Sequence, residues 1–198
     1  MEGTGYMPCD DRLHCRCYER RTILSLAVAP LLWAGPLRAA EEGEAAKPVT
    51  TDDRFAFLTG PKKGQVVRAE DLALGGPQMQ AYPMAPDGTV RDDNRLNLVI
   101  LARFDPAALT DDTRARAADG VVAYSAICTH QACPVNMWSK DRNAFVCSCH
   151  GSIFDPRNAA EVIGGPAPRP LPALGLKLKD GVVTVASTFS GRVGGTQG

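Results

Sequence analysis

The 198-residue chain has no charge bias: Lys plus Arg and Asp plus Glu both number 22, for a formal net charge of zero. A nucleic-acid binder, or a protein held to a membrane surface by its overall field, would carry an excess of one sign, so any partner must be sought in local chemistry. The chain has no internal repeat and no long low-complexity tract, and it is too short for two full domains while long enough to bury one core. It also lacks a long apolar run. The stretch Ile23 to Leu37 covers 15 residues and is interrupted by Pro30 and Pro36. As a helix it would reach roughly 22 Å against roughly 30 Å of hydrocarbon. Most telling is the scarcity of metal-binding side chains. Three His and seven Cys are present, none lies between Cys17 and Cys128, and none follows His150.

What is present at the N-terminus is a twin arginine, Arg20-Arg21, followed by the apolar stretch and then Arg38-Ala39-Ala40. This resembles a twin-arginine export signal, a route for proteins folded around their cofactor before export. Residues 1–40 are therefore expected to be a cleaved signal ending near Ala39 or Ala40, or a retained N-terminal anchor. Cys9, His14, Cys15 and Cys17 precede the twin arginine without a paired C-x-x-C spacing and are read as part of a dispensable leader. Residues 41–54, rich in Glu, Ala, Thr and Pro, are expected to form a linker, with folding starting near Phe55.

Beyond that point short β-type runs alternate with turn residues: Gln65 to Arg68, Leu96 to Phe104, Val121 to Ser125, Ala144 to Cys147, Leu174 to Leu178 and Val182 to Ala186. Asp180-Gly181 between the last two is a hairpin signal. The run from Asn97 to Phe104 is apolar on both faces and predicts a central, covered strand. Asp105-Pro106 predicts a cap and first turn opening an irregular or partly helical insertion up to Asp119. Residues 55–190 are thus expected to form one mainly β, antiparallel domain, and the glycine-rich 191–198 a flexible tail.

The chemistry lies in two boxes, Cys128-Thr-His130-Gln-Ala-Cys133 and Cys147-Ser-Cys149-His150-Gly151-Ser152. C-x-H, sixteen residues, then C-x-x-H resembles the signature of Rieske [2Fe–2S] proteins, in which two thiolates hold one iron and two imidazoles the other. The resemblance implies an antiparallel β sandwich with an inserted cluster-binding subdomain, here about residues 124–172. It implies one [2Fe–2S] cluster per chain, held by Cys128 and Cys147 on the inner iron and by His130 and His150 on the outer. Neutral imidazoles leave less negative charge on the cluster than thiolates would, which raises the potential and leaves two groups able to bind protons. A closed zinc site of two Cys and two His is the alternative reading of the same four residues.

Cys133 and Cys149 occupy the positions that in this family form a disulfide between the cluster loops. This narrows the resemblance to Rieske subunits of quinol–cytochrome c reductases and small subunits of arsenite oxidases, and it suits an oxidising compartment such as the periplasm. The resemblance also assigns cofactor-binding roles to Ser152, whose hydroxyl would donate to a cluster sulfide, and to the Gly164–Pro170 stretch with Gly165 and Pro166, a rigid cover beside the cluster. Where reductase subunits carry a sulfur-bonding tyrosine this chain has Phe154, and Gln131-Ala132 replaces their usual Leu-Gly. The first change implies a lower potential than in the tyrosine-bearing proteins. The second puts a polar amide at the expected docking tip. The implied function is one-electron transfer as a subunit that is not catalytic alone. Its expected partners are a cytochrome b/c1 complex or a molybdopterin subunit, a c-type cytochrome and, in the first case, quinol. A free-standing carrier is a third possibility. No nucleic acid is expected, and membrane contact only through an N-terminal anchor.

Overall fold

The structure is a computed structural model that describes residues 47–195. Residues 1–40, where a signal or anchor is expected, with Cys9, Cys15 and Cys17, lie outside the described residues, as do 41–46 and 196–198.

The described residues form ten strands and one short α-helix: β1 (Arg54–Phe57), β2 (Met79–Met84), β3 (Val99–Arg103), α1 (Asp111–Arg116), β4 (Val121–Ser125), β5 (Val135–Ser139), β6 (Ala144–Cys147), β7 (Ile153–Asp155), β8 (Glu161–Gly164), β9 (Ala173–Lys179) and β10 (Val182–Ser187). The mainly β, antiparallel architecture expected from the sequence is present, in two layers. The larger layer closes on itself as a six-stranded barrel in the order β1-β10-β9-β4-β3-β2, and the smaller is a four-stranded sheet, β5-β6-β7-β8, inserted between β4 and β9.

β3 and β4 explain why both faces of their sequences are apolar. Paired from Val99 opposite Ser125 to Arg103 opposite Val121, they alternate sides with period two. Val99, Leu101, Val121 and Ala123 point into the barrel with Phe55, Val67, Leu174, Val183 and Val185. Ile100, Ala102, Val122 and Tyr124 point the other way, into a second core shared with Val135, Phe145 and Phe154 of the small sheet. Trp138 and Phe145 stack at 5.8 Å between ring centroids, with Tyr124 edge-on to Phe145 at 6.0 Å and Phe104 against Trp138 at 6.3 Å. Burying the Phe104, Tyr124 and Phe145 rings contributes roughly 1.5–3 kcal/mol each, and Trp138, half-buried, contributes less. The small sheet is therefore seated on the outer face of the barrel, and its loops have a rigid base.

The β9–β10 hairpin turns at Asp180-Gly181 as expected, both residues at positive φ. Asp105 caps a 3-10 turn over Pro106–Ala108 by accepting from the Ala107 N–H at 2.9 Å, ahead of α1. Three expectations need correction. Gln65 to Arg68 is not a strand. It makes single bridges, Ala56 with Val66 and Arg68 with Val182, because the Gly60–Gly64 turn brings it across the barrel mouth for only one pairing on each side. The strand expected from Leu96 starts at Val99, since Asn94 caps a 3-10 turn at Arg95–Asn97. The linker ends earlier than expected: Val49 is buried, and Asp53 is fully buried in a two-point ion pair with Arg91, Nε to Oδ2 at 2.7 Å and Nη2 to Oδ1 at 3.0 Å. Residues 47–53 thus belong to the folded body. Among the described residues no helix is long and apolar enough to cross a membrane.

Candidate metal centre

Both boxes sit on loops of the second layer, box 1 running from β4 to β5 and box 2 from β6 to β7. Each closes with the same pair of backbone bonds. In box 1 the Cys128 N–H donates to the Cys133 carbonyl at 2.8 Å and the Ala132 N–H to the Cys128 carbonyl at 3.0 Å. In box 2 the Cys147 N–H donates to the Ser152 carbonyl at 2.9 Å and the Gly151 N–H to the Cys147 carbonyl at 3.1 Å. The residue four after each first cysteine has positive φ: Ala132 at 55° and Gly151 at 70°. These two knuckles turn Cys128 and Cys147 inward, where both are buried free thiols.

The two thiols interact with each other, and burial pushes that of Cys128 above its ordinary range. The backbone N–H of His130 works against that rise, and the neighbouring Cys147 adds to it. Further out, the rings of His130 and His150 meet edge to face with centroids 4.7 Å apart. His150 is exposed and His130 partly buried. The Nδ1 of His130 is buried with no hydrogen-bond partner. A buried ring nitrogen without a partner is costly unless something else occupies its lone pair. Two buried thiols and two imidazoles in edge contact, one exposed and one with a buried, orphaned nitrogen, fit a cluster that needs two sulfur and two nitrogen donors.

Cys133 and Cys149 form a disulfide between the two loops, with Cα atoms 6.3 Å apart. Their sulfurs and that of Cys147 lie within 4.8 Å of one another. That trio is no separate metal site, because disulfide sulfurs are not thiolate donors. Ser152 is fully buried: its Oγ accepts from the Ala167 N–H at 3.1 Å, and its hydroxyl acts on the Cys128 thiol, opposing the rise that burial causes. Phe154 is buried on β7 directly opposite Phe145 of β6, under the thiols. Gly165, at φ 81°, lies so close to box 2 that a Cβ there would stand 2.5 Å from the Ser152 Cα. Pro166 is exposed beside it. The Gly164–Pro170 stretch is therefore fastened to both boxes, to box 2 through Ala167 and to box 1 through the Arg169 carbonyl, which accepts from the Thr129 hydroxyl at 2.6 Å.

Sequence reasoning passed over Thr129, Arg95 and the chain end. Arg95 donates from Nη2 to the Ala132 carbonyl at 2.5 Å. Residues 191–195 are not a free tail: Gly194 is buried, and its carbonyl accepts from Arg169 Nη2 at 2.5 Å. Thr129 was legible in principle as a hydroxyl between two ligand-type residues. Nothing in the local sequence around Arg95 points to box 1.

Comparison with known proteins agrees with this geometry. The model of the Rieske [2Fe-2S] domain matches residues 82–177. The cytochrome bc1 complex Rieske iron-sulfur subunit of Streptomyces lividans is 35% identical over 146 residues, covering 70% of this chain and 84% of that protein. Its counterpart in Streptomyces coelicolor is also 35% identical over 146 residues, but there the match spans only 40% of the longer protein. A Haloferax mediterranei protein described as a respiratory nitrate reductase Rieske subunit is 31% identical over 176 residues, covering 87% of this chain and 73% of that protein. With the matched domain centred on the two Cys/His loops, the chain belongs to the Rieske [2Fe–2S] family and carries out iron–sulfur electron transfer.

Proposed function

We propose that this chain is the iron–sulfur subunit of a quinol–cytochrome c reductase, exported by the twin-arginine route through residues 1–40 and working in the periplasm. Cys128 and Cys147 hold the inner iron, and His130 and His150 the outer. A bound cluster would supply a one-electron carrier at this site. The side chains do the rest. Cys128 and Cys147 keep the inner edge away from water. His130 uses its orphaned Nδ1 inward, which leaves Nε2 to hold the proton exchanged with a docked quinol. His150, the more exposed of the pair, presents the contact edge. Ser152 contributes a hydroxyl proton toward sulfur, while Phe154 contributes none, so the potential falls below that of tyrosine-bearing relatives. The cluster-binding subdomain is taken as about residues 124–172.

The observation that carries this reading is the 35% identity to a bc1 Rieske subunit over 84% of its length. A second reading, the electron-transfer subunit of an arsenite-oxidase-like molybdenum enzyme, draws support from two others. The nitrate reductase Rieske protein matches a larger share of this chain, 87% against 70%. Gln131 also puts an exposed amide at the box 1 tip, where a quinol pocket would favour an apolar side chain. Purification of the full-length protein from its native membranes separates them. Co-purifying haem b and quinol-dependent reduction of a c-type cytochrome are expected; stoichiometric molybdenum without haem b would establish the second reading instead.

A further inference from the structure

The last described residues lie against the outer side of box 1. Ser190 starts the approach, donating its backbone N–H to the Ala173 carbonyl at 2.8 Å while its Oγ accepts from the Ala173 N–H at 2.9 Å. Arg169 holds the far end through the Gly194 carbonyl. Between these ties the chain runs so close to the loop that a Cβ on Gly194 would stand 3.6 Å from both the Ala132 Cβ and Ile127 Cγ2. A Cβ on Gly195 would stand 2.6 Å from the carbonyl oxygen of His130 and 3.4 Å from the Ala132 nitrogen. Gly195 is not at positive φ, so its backbone conformation suits any residue and only the lack of room calls for glycine there.

We infer that residues 193–195 are a strap that positions His130, with Gly195 as the point of contact and Arg169 as the fastening. The inference rests on the ligand assignment proposed above. The carbonyl of His130 is wedged between the strap and the Thr129 tie on the preceding residue, and the next turn is held by Arg95 at Ala132. A backbone fixed on these sides fixes where the imidazole starts, so the ring cannot drift when the charge beside it changes. Among the described residues box 2 has no equivalent cover: Ser148, Cys149, His150 and Gly151 are all exposed.

Two Gly→Ala substitutions four residues apart test this, because a Cβ on Gly191 would meet nothing within 4 Å. In the holoprotein, Gly195→Ala is expected to move the g-values of the dithionite-reduced EPR spectrum and shift the midpoint potential. It should also speed cluster loss to a chelator about fivefold, the equivalent of one lost hydrogen bond. Gly191→Ala should match the wild type in all three. A chain ending at Val193, which removes the strap's contact residues Gly194 and Gly195 instead of crowding them, should shift the midpoint and cluster lifetime as well. A wild-type spectrum with the mixed Cys/His signature, together with Gly195→Ala and shortened proteins that are both unchanged, overturns the strap alone. A wild-type spectrum without that signature overturns the ligand assignment and the strap with it.

Discussion

Boxes 1 and 2 are built on one backbone plan and supported in opposite ways. Both close six-residue spans with the same two hydrogen bonds and a positive-φ residue four after the first cysteine. Box 1 carries its histidine two residues after the cysteine and is held from outside by Thr129, Arg95 and the chain end. Box 2 carries its histidine three residues after the cysteine and, among the described residues, is held at its base, where the Ser152 hydroxyl takes the Ala167 N–H and Gly165 packs close, while its tip is exposed. One extra residue thus separates an imidazole against the fold from an imidazole offered to a partner. A redox site that must be both rigid and reachable can divide those demands between two loops.

The disulfide ties the supported loop to the unsupported one, so removing it is the strongest way to break the comparison. Cys133 and Cys149 are 16 positions apart. The loop-entropy model gives about 3 kcal/mol for a closed segment of that size. Cys133→Ala with Cys149→Ala should lower the unfolding free energy by about this amount in denaturant titration. Amide exchange should report where the loss falls. Exchange is expected to rise at 148–151 well before it rises at 129–133. Equal acceleration in both loops would mean that the outer contacts of box 1 contribute no support.

Hydroxyls placed alike but facing different partners sharpen it further. Ser152→Ala leaves the Ala167 N–H, in a buried residue, without an acceptor and removes the contact with the Cys128 sulfur. It should cost about 2 kcal/mol of stability and also lower the midpoint potential. Thr129→Val releases only the Arg169 carbonyl and should cost about 1 kcal/mol. Because that hydroxyl faces a carbonyl and no sulfur, its midpoint shift should be the smaller of the two; a larger shift than in Ser152→Ala would reverse their roles. Phe154→Tyr tests the same idea by addition. Phe154 lies in the core that contains Cys128 and Cys147, and a hydroxyl donated there should raise the midpoint in redox titration. An unmoved or lowered value would remove Phe154 from the tuning residues.

The boxes were legible because no other Cys or His occurs after Cys17. β3 and β4 were legible because they are buried on both faces, and the last hairpin because Asp180-Gly181 admits few alternatives. Other features depend on residues far apart in sequence. Asp53 in a polar stretch reads as linker until Arg91 arrives 38 positions later to bury it. β7 has three residues and β5 is largely exposed, so neither shows a usable period. β2 contains Pro83, which weakens any strand reading, yet it closes the barrel against β1. Gly194-Gly195 has the composition of a frayed end, and only the Arg169 contact and the groove beside His130 make it part of the site.

The finest distinction between the loops is the residue at positive φ. Gly151 occupies that conformation without steric penalty, and a Cβ there would touch nothing within 4 Å. Ala132 takes nearly the same conformation with a Cβ, at a cost of about 1 kcal/mol. Ala132→Gly should therefore stabilise the protein and Gly151→Ala destabilise it, each by about 1 kcal/mol in matched denaturant unfolding curves. The gain at position 132 is reduced to the extent that glycine adds freedom to the unfolded chain and gives up the Ala132 methyl, which lies so near the strap that a Cβ on Gly194 would stand 3.6 Å from it. In a chain ending at Val193 that packing is already gone, so Ala132→Gly should gain more there than in the full-length protein. Equal gains in the two backgrounds would show that the strap leaves Ala132 untouched and acts on box 1 through the His130 carbonyl alone.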